Sequence, residues 1–294
     1  MGRQSEENLI EPRERYSYIC KSNELILSRN NLSLVEQKLV LYLISQIRME
    51  DTELHWYEFH ITDFCRICGY NLGGRNYQRI RSVLIGLRDK SWWQRVEGPG
   101  GEVKEVTMSW INKAVLEPRK GVIRVRLDDD LVPYLLDLHE NFTKYQLIHC
   151  LGFKSKYTLA LYENLCMIHY HPGFGSYTWK YTRRQLLDLF GISEDRYPEW
   201  RDFKRRILDV AVEEINEKSN KLVSYETILS VRKVTAVVIT VKEKDFLERI
   251  SAETRVNREL NESTRMEKSA SSRAKAEQDM ILNNRATPPW EESK

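Results

Sequence analysis

Residues 197–216 read YPEWRDFKRRILDVAVEEIN, and this stretch guides the interpretation of the whole chain. On a helix with about 100° between successive residues, one face carries apolar side chains and the other carries guanidinium groups. The apolar face holds Trp200, Phe203, Ile207, Val210 and Ala211, and the basic face holds Arg201, Arg205 and Arg206. Pro198 suits the first turn, because its missing N–H would have no partner inside the helix. The pattern predicts a helix with one buried and one basic face.

An internal repeat surrounds this helix. With a shift of 122 positions, residues of the first half coincide with similar residues of the second: Ser33 with Ser155, Leu39 with Leu161, Leu43 with Leu165, Phe64 with Leu186, Ile67 with Leu189 and Gly69 with Gly191. One further residue of shift places Tyr77 on Trp200, Ile80 on Phe203 and Leu84 on Ile207. The helix predicted over 76–90 is therefore the counterpart of the helix over 197–216.

Each half has the order of elements found in a winged helix-turn-helix domain. In the first half, Ser33 and Glu36 form a capping box before an amphipathic helix, 55–61 alternates as a strand, and Gly69 ends a short helix. WWQRVE and EVTMSWI then form a hairpin around EGPGGE, and GVIRVRL is another strand. In the second half, KLVSYETILSV and KVTAVVITV form the wing. The predicted class is α+β, with tandem duplicated winged helix-turn-helix domains.

The 294 residues fit two domains, each large enough to bury its own core. We expect a flexible N-terminus over 1–15 and an N-terminal winged-helix domain over 16–150. Its last part, 128–150, is a connector with a helix and a short strand. The C-terminal winged-helix domain spans 151–242. From 243 to 294, charges of both signs and few large apolar residues predict a frayed helix leading into a mobile, largely disordered tail.

Composition restricts the kinds of partner. Charged residues make up 30% of the chain, but the net charge is only +3, so any basic surface must be local. The sequence has no apolar run long enough for a bilayer and no signal-peptide core, so we expect a soluble, cytosolic protein without a membrane partner. Five cysteines at irregular spacing indicate reduced thiols.

The predicted fold suggests where DNA would bind. The third helix of a helix-turn-helix domain enters the major groove, where Arg can bond guanine and Lys or Arg can neutralise phosphates. The candidates in the second domain are Arg183, Arg184, Gln185, Arg201, Lys204, Arg205, Arg206, Arg232 and Lys233. Those in the first domain are Arg75, Asn76, Gln78, Arg79 and Ser82. The second set carries more charge, so we expect the second domain to dominate binding, with the Lys204 ammonium reaching a phosphate.

Several short sequences between residues 16 and 242 form a further pattern. They are Ser22-Asn23, Leu32-Ser33, Glu36-Gln37-Lys38-Leu39, Ser155-Lys156-Tyr157, Leu161-Tyr162-Glu163, Phe203-Lys204-Arg205-Arg206-Ile207-Leu208, Ala211 and Glu214-Ile215-Asn216. In this pattern the chain resembles the iteron-binding plasmid replication initiators, the theta-type Rep proteins. Two positions depart from that family: Ala160 replaces a residue that is often charged, and Val231 replaces a common glycine.

The resemblance implies how the protein would act. Two winged-helix domains of a monomer would contact successive major grooves of direct repeats, the iterons, at a plasmid origin. Origin opening and recruitment of the host initiator and the replicative helicase would follow. A homodimer in equilibrium with the monomer would bind an inverted repeat at its own promoter and repress its gene. The location would be the bacterial cytoplasm.

Two other functions are compatible with parts of the sequence. A transcriptional repressor without a replication role could have the same fold. His169-Tyr170-His171 has the outline of the metal site of rolling-circle nicking enzymes, but it ends a helix before Pro172-Gly173, whereas that chemistry needs a central strand. Cys65 and Cys68 have no second pair at zinc-ligand spacing, and no glycine-rich loop suits a nucleotide. We therefore expect a DNA-binding protein with no metal, no cofactor and no catalytic residues.

Overall fold

The computed structural model describes residues 13–28, 31–70, 74–97, 100–168, 175–231 and 233–264, except for the side chains of 74–77. After a short 3-10 helix at Arg13–Tyr16, the first half contains β1 (Tyr18–Ser22), α1 (Asn23–Leu27), α2 (Leu34–Ile44), β2 (Trp56–His60), α3 (Ile61–Cys68), α4 (Gly74–Asp89), β3 (Ser91–Glu97), β4 (Val103–Ser109), β5 (Ile111–Glu117) and β6 (Val122–Leu127). The connector contains α5 (Val132–Leu135), β7 (Phe142–Gln146) and α6 (Ile148–Leu151).

The second half repeats the order of the first. It contains α7 (Lys156–Ile168), β8 (Tyr177–Thr182), α8 (Arg183–Phe190), α9 (Trp200–Phe203), a π-helical turn (Lys204–Leu208), α10 (Asp209–Lys218), β9 (Lys221–Ser230) and β10 (Lys233–Glu243). A last helix, α11, spans 246–264. None of the helices in these described ranges is long and apolar enough to cross a membrane.

The predicted duplication is visible in the backbone. Two three-stranded sheets have the orders β2-β6-β5 and β8-β10-β9, so in each half the strand before the short helix pairs with the last strand of the wing. The short helices α3 and α8 both end at a glycine in the left-handed conformation, Gly69 at φ 69° and Gly191 at φ 61°. The Ser33 capping box is present: Glu36 accepts from the Ser33 N–H at 2.6 Å. The prediction of two tandem winged-helix domains is confirmed.

The wing of the first domain differs from the prediction. β5 and β6 complete its three-stranded sheet, whereas β3 and β4 form a separate two-stranded sheet. The predicted strand EVTMSWI is divided at Trp110, whose ring is buried and lies 5.0 Å from that of Trp92. This buried pair anchors the hairpin β3–β4 to the core, and residues 111–117 are then free to form a strand that the sequence analysis did not identify.

The junction between the domains is held by buried lysines. The Lys38 Nζ of α2 donates to the Leu151 carbonyl at 2.5 Å, and the Lys218 Nζ of α10 donates to the Gly152 carbonyl at 3.2 Å. Burial lowers the pKa of Lys38 to about 8. One ammonium group from each domain thus binds a carbonyl at the end of α6.

Helix α11 is more firmly packed than the sequence predicts. The sequence predicts a frayed helix there, and residues 246–264 do form a helix. In contrast to a frayed helix, however, α11 buries Ala252, Val256 and Leu260. These residues lie four apart and form a continuous apolar stripe. A Cβ added at Gly69 would meet Leu260, so the backbone of the first domain closely approaches α11. Residues 265–294 lie outside the described residues.

Cys65 and Cys68 are core residues of α3. Both side chains are buried, and burial raises the pKa of Cys65 to about 11 and that of Cys68 to about 12. Within the described part of the chain, no group of three or more His, Cys, Asp or Glu side chains could hold a metal ion. The sequence His169-Tyr170-His171 lies outside the described residues.

Candidate nucleic-acid interface

The helix predicted over 197–216 is formed by α9, the π turn and α10, which follow one another without a break. Phe203, Ile207 and Ala211 are buried as predicted. Val210 is 38% exposed, so its assignment to the buried face is wrong, and Leu208 is buried instead. The reason is the wider π turn, in which the Asp209 N–H bonds the Lys204 carbonyl and an additional residue is accommodated.

Aromatic rings fix the start of this helix. The Phe203 ring lies 5.4 Å from that of Trp200, 6.0 Å from that of Phe190 and 6.3 Å from that of Tyr197. Phe203 is completely buried, so these contacts attach the helix to α8. The first helical residue is Trp200, two positions after Pro198.

The outer face of the helix is basic. Arg201, Arg205 and Arg206 are exposed, as the sequence predicts. Arg205 Nη2 lies 3.4 Å from the Asp202 carboxylate, an exposed ion pair that costs little to exchange for another partner. Arg205 and Arg206 both lie within the π turn, and such turns are frequent at functional sites.

Lys204 stabilises the π turn by an ion pair between its two ends. Its Nζ donates to both oxygens of Asp209, at 3.1 and 2.9 Å, and lies 5.7 Å from the centre of the Tyr225 ring. The Tyr225 hydroxyl donates to the same carboxylate. The hydrogen bond with Asp209 raises the pKa of Lys204. The ammonium that we expected to reach a phosphate therefore spans the turn that carries Arg205 and Arg206.

The three candidates on α8 are all engaged within the protein. Arg183 Nη2 donates to the carbonyls of Tyr197 at 2.6 Å and Pro198 at 3.0 Å. Arg184 bonds Glu194 at 2.8 Å and Asp188 at 3.3 Å. Gln185 and Thr182 form a capping box, in which the Gln185 Oε1 accepts from the Thr182 N–H at 2.8 Å. Arg183 thus supports the chain that leads into α9.

These contacts give a prediction for Arg183. We expect Arg183→Ala to lower the free energy of unfolding by about 1–2 kcal/mol, because two carbonyls lose a charged donor. The slope of log affinity for DNA against log salt concentration should stay unchanged. Chemical denaturation and salt titration measure the two effects, with Arg184→Ala as the neighbouring control. A slope reduced by about one, with full stability, would instead make Arg183 a phosphate contact.

The first domain presents a smaller polar face. Gln78, Arg79 and Ser82 of α4 are exposed, with Arg79 lying 5.2 Å from the centre of the Tyr70 ring. Ser82 Oγ donates to the Gln78 carbonyl at 3.0 Å. Arg81 is also exposed and was missed in the sequence analysis, although it lies three residues after Gln78 and therefore near it on the helix. The side chains of Arg75 and Asn76 are not among those described.

The second wing has a strained tip. Val231 has φ 45° and is 95% exposed, at the position where the resemblance noted above implies glycine. A β-branched residue rarely adopts this conformation. Lys233 is exposed at the start of β10, next to the tip, whereas Arg232 lies outside the described residues.

Comparison with known proteins identifies the family. A family model for the initiator replication protein, WH1, matches residues 18–166, and one for the initiator Rep protein, WH2, matches residues 182–241. The chain belongs to this initiator family. An uncharacterized 27.6 kDa protein of Escherichia coli is 26% identical over 219 residues, which cover 70% of this chain and 88% of that protein.

A solved structure shares the initiator fold. The crystal structure of Pi initiator protein in complex with iteron DNA matches with a TM-score of 0.64. The match covers 79% of this chain and 99% of that chain at 17% identity. The two family models, together with this shared fold, confirm the resemblance to plasmid replication initiators that was drawn from the sequence.

Glu214-Ile215-Asn216, which end the stretch most specific to that initiator resemblance, contact other parts of the second domain. The Glu214 carboxylate accepts from the backbone N–H groups of Lys154 at 2.8 Å and Ser155 at 3.3 Å, and from the Thr158 hydroxyl at 2.6 Å. It therefore caps the start of α7. Asn216 exchanges two hydrogen bonds with the backbone of Val223. Glu214 and Asn216 thus join α10 to the rest of its own domain.

Proposed function

We propose that this protein initiates plasmid replication by binding directly repeated origin sequences as a monomer. Helices α4 and α9–α10 would occupy successive major grooves. The observation that carries the proposal is the pair of exposed arginines, Arg205 and Arg206, on a braced turn of the recognition helix in a duplicated winged-helix fold. Further support comes from the Pi initiator protein, which shares this fold and was crystallised with iteron DNA.

The residues would have different roles in that complex. Arg205 and Arg206 would read base edges, because arginine can make paired hydrogen bonds to guanine. Arg201, Arg232 and Lys233 would contact phosphates, which set affinity and register. In the first domain, Arg75, Asn76, Gln78, Arg79 and Ser82 would form the weaker contact. Lys204 and Arg183 would support the recognition helix from within, and Arg184 and Gln185 would stabilise α8.

The protein would act through binding energy, without catalytic activity of its own. Assembly on several repeats would deform an adjacent AT-rich segment, since added contacts can offset the cost of bending DNA. The host initiator and the replicative helicase would then be recruited in the bacterial cytoplasm. A dimer would bind an inverted repeat at the promoter of its own gene and repress it.

The proposal is tested by binding to the repeats of the plasmid origin and to a scrambled duplex over a series of salt concentrations. We expect a preference of about three decades or more that persists while absolute affinity falls with salt. Equal affinity for both duplexes would contradict the proposal. A repressor without a replication role would show the same preference but no effect on plasmid copy number. A nicking enzyme would cut supercoiled origin DNA when metal is added.

Arg205→Ala tests the assignment of base reading. We expect a loss of about 1–3 kcal/mol on the origin repeat and relaxed specificity at one base pair. The matched control is Arg258→Ala, which removes an exposed arginine from the outer face of α11. An equal loss of affinity on all sequences would show that Arg205 contacts a phosphate rather than a base.

A further inference from the structure

Helix α11 lies beyond residue 241, where the second family match ends, yet it contacts both domains and the junction between them. From the geometry of these contacts we infer that α11 is a clasp that fixes the spacing and orientation of the two recognition helices. This inference rests on the proposed function, because it concerns how two helices on one chain reach two DNA grooves.

On the first domain, the clasp holds the end of α3 through a buried arginine. Arg15 is fully buried, and its Nε donates to the Ile67 carbonyl at 3.0 Å and its Nη2 to the Arg66 carbonyl at 2.6 Å. Its Nη1 donates to the side chains of Asn257 at 2.8 Å and Asn261 at 3.1 Å. One guanidinium group thus joins α3 to α11.

The segment held in this way leads directly into a recognition helix. Residue 69 ends α3, and α4 begins at residue 74. Leu260 lies so close to Gly69 that a side chain there would collide with it. The clasp therefore fixes the start of the turn in the first helix-turn-helix unit.

On the second domain, the clasp binds the end of the other recognition helix. Arg255 Nη1 bonds the Glu217 carboxylate at 3.2 Å, and Glu259 lies 3.4 Å from the Nζ of Lys218. Both partners belong to the last turn of α10. Lys218 is 4% exposed, so this contact is at the buried edge of the helix rather than at its surface.

Between these two sites, the clasp also contacts the junction between the domains, at His149 and Gly152. The His149 Nε2 lies 3.0 Å from the Glu253 carboxylate, with both side chains buried. Val256 packs on Gly152. All of these contacts come from residues 253–261, a span of about 12 Å at 1.5 Å per residue. A helix is stiff over that length, so the turn of the first helix-turn-helix unit and the end of the second unit are tied to one short rigid element.

The consequence for DNA binding is a fixed distance between two contacts. Two linked binding modules reinforce each other only when the linkage matches the separation of their sites. Inserting two base pairs moves the second site by about 7 Å and rotates it by about 70° on the duplex. With the clasp docked, we expect the full-length protein to lose about tenfold or more in affinity for such an extended repeat.

The test compares the native chain with Val256→Asp/Leu260→Asp, which places two charges on the buried face of α11. Footprinting of the origin repeat defines the two protected blocks, and duplexes with zero to three base pairs inserted between them are titrated. We expect the double variant to bind the unmodified repeat more weakly than the native chain does. Its affinity should change by less than about threefold across the duplexes with zero to three inserted base pairs. The control Thr254→Asp/Ser263→Asp adds the same charge at exposed positions and should behave like the native chain.

A second readout is independent of DNA. Ile85 on α4 and Val210 on α10 are exposed and can be replaced by a ketone-bearing amino acid for spin labelling. One narrow distance distribution in the native background and a broad one in the double variant would support the clasp. If the double variant does not fold, Leu260→Ala removes contacts without adding charge and should broaden the distribution partially.

The outcomes separate the clasp from the proposed function. Unchanged distance distributions, or an unchanged dependence on spacing in the folded variant, would overturn the clasp. If the native chain does not prefer its own repeat, the proposed function fails, and the distance measurement alone decides whether α11 fixes the domains.

Discussion

Replacing Arg15 with alanine is expected to lower the free energy of unfolding by about 3–5 kcal/mol. The side chain is fully buried, and it makes four hydrogen bonds of 2.6–3.1 Å to two backbone carbonyls and two asparagines. Without it, these acceptors are left without their charged donor, and the carbonyl end of α3 loses a favourable positive charge. Urea denaturation of the full-length protein measures the loss.

Arg13→Ala is the matched control for this experiment. Arg13 lies in the same short 3-10 helix as Arg15 but is exposed, so its removal should change stability by less than about 0.5 kcal/mol. A similarly small loss for Arg15→Ala would show that the guanidinium network contributes little to stability and that α11 is held by its apolar stripe and its other polar contacts.

The second large effect is expected for Glu214. We expect Glu214→Ala to cost about 2–4 kcal/mol, because two backbone N–H groups at the start of α7 and the buried Thr158 hydroxyl lose their acceptor. The buried Lys218 also loses an ion-pair partner at 3.8 Å. Glu214→Gln keeps one acceptor oxygen for the cap, so it should lose less stability than Glu214→Ala. Thermal and urea denaturation, followed by circular dichroism, check the order of the variants.

Glu213 provides a control at the adjacent position. Its side chain is exposed on the same helix, so Glu213→Ala should leave stability within about 0.5 kcal/mol of the native value. Equal losses at Glu213 and Glu214 would mean that helix propensity or overall charge, rather than capping of α7, explains the loss of stability.

Features that depend on neighbouring residues could be predicted from the sequence. The Ser33 capping box, the glycine caps Gly69 and Gly191, and the buried positions Phe203 and Ile207 follow from spacing along one helix. Because these local signals occur twice, they were sufficient to predict the duplicated fold. The exposed arginines on the outer face could be predicted for the same reason.

Features that depend on residues far away in the sequence could not be predicted. Arg183 binds carbonyls fourteen and fifteen residues away, and Arg15 binds asparagines more than two hundred residues away. Neither partner has a signature in the sequence around the arginine. Strand β5 was missed because its separation from β4 depends on the burial of Trp110, and the packing of α11 depends on surfaces that the two domains form only after folding.

The π turn shifts the buried positions of α9–α10 by one residue relative to those of α4. Matched by burial, Ile80 corresponds to Phe203, 123 positions later, but Leu84 corresponds to Leu208 and Leu87 to Ala211, both 124 positions later. One residue has been added within the outer face of the second helix, where Arg205 and Arg206 stand. Under the proposed function, the two halves of this chain would therefore read different DNA sequences, so a single bound molecule would have a direction along the duplex. On the proposed array of direct repeats, every bound copy would then point in the same direction.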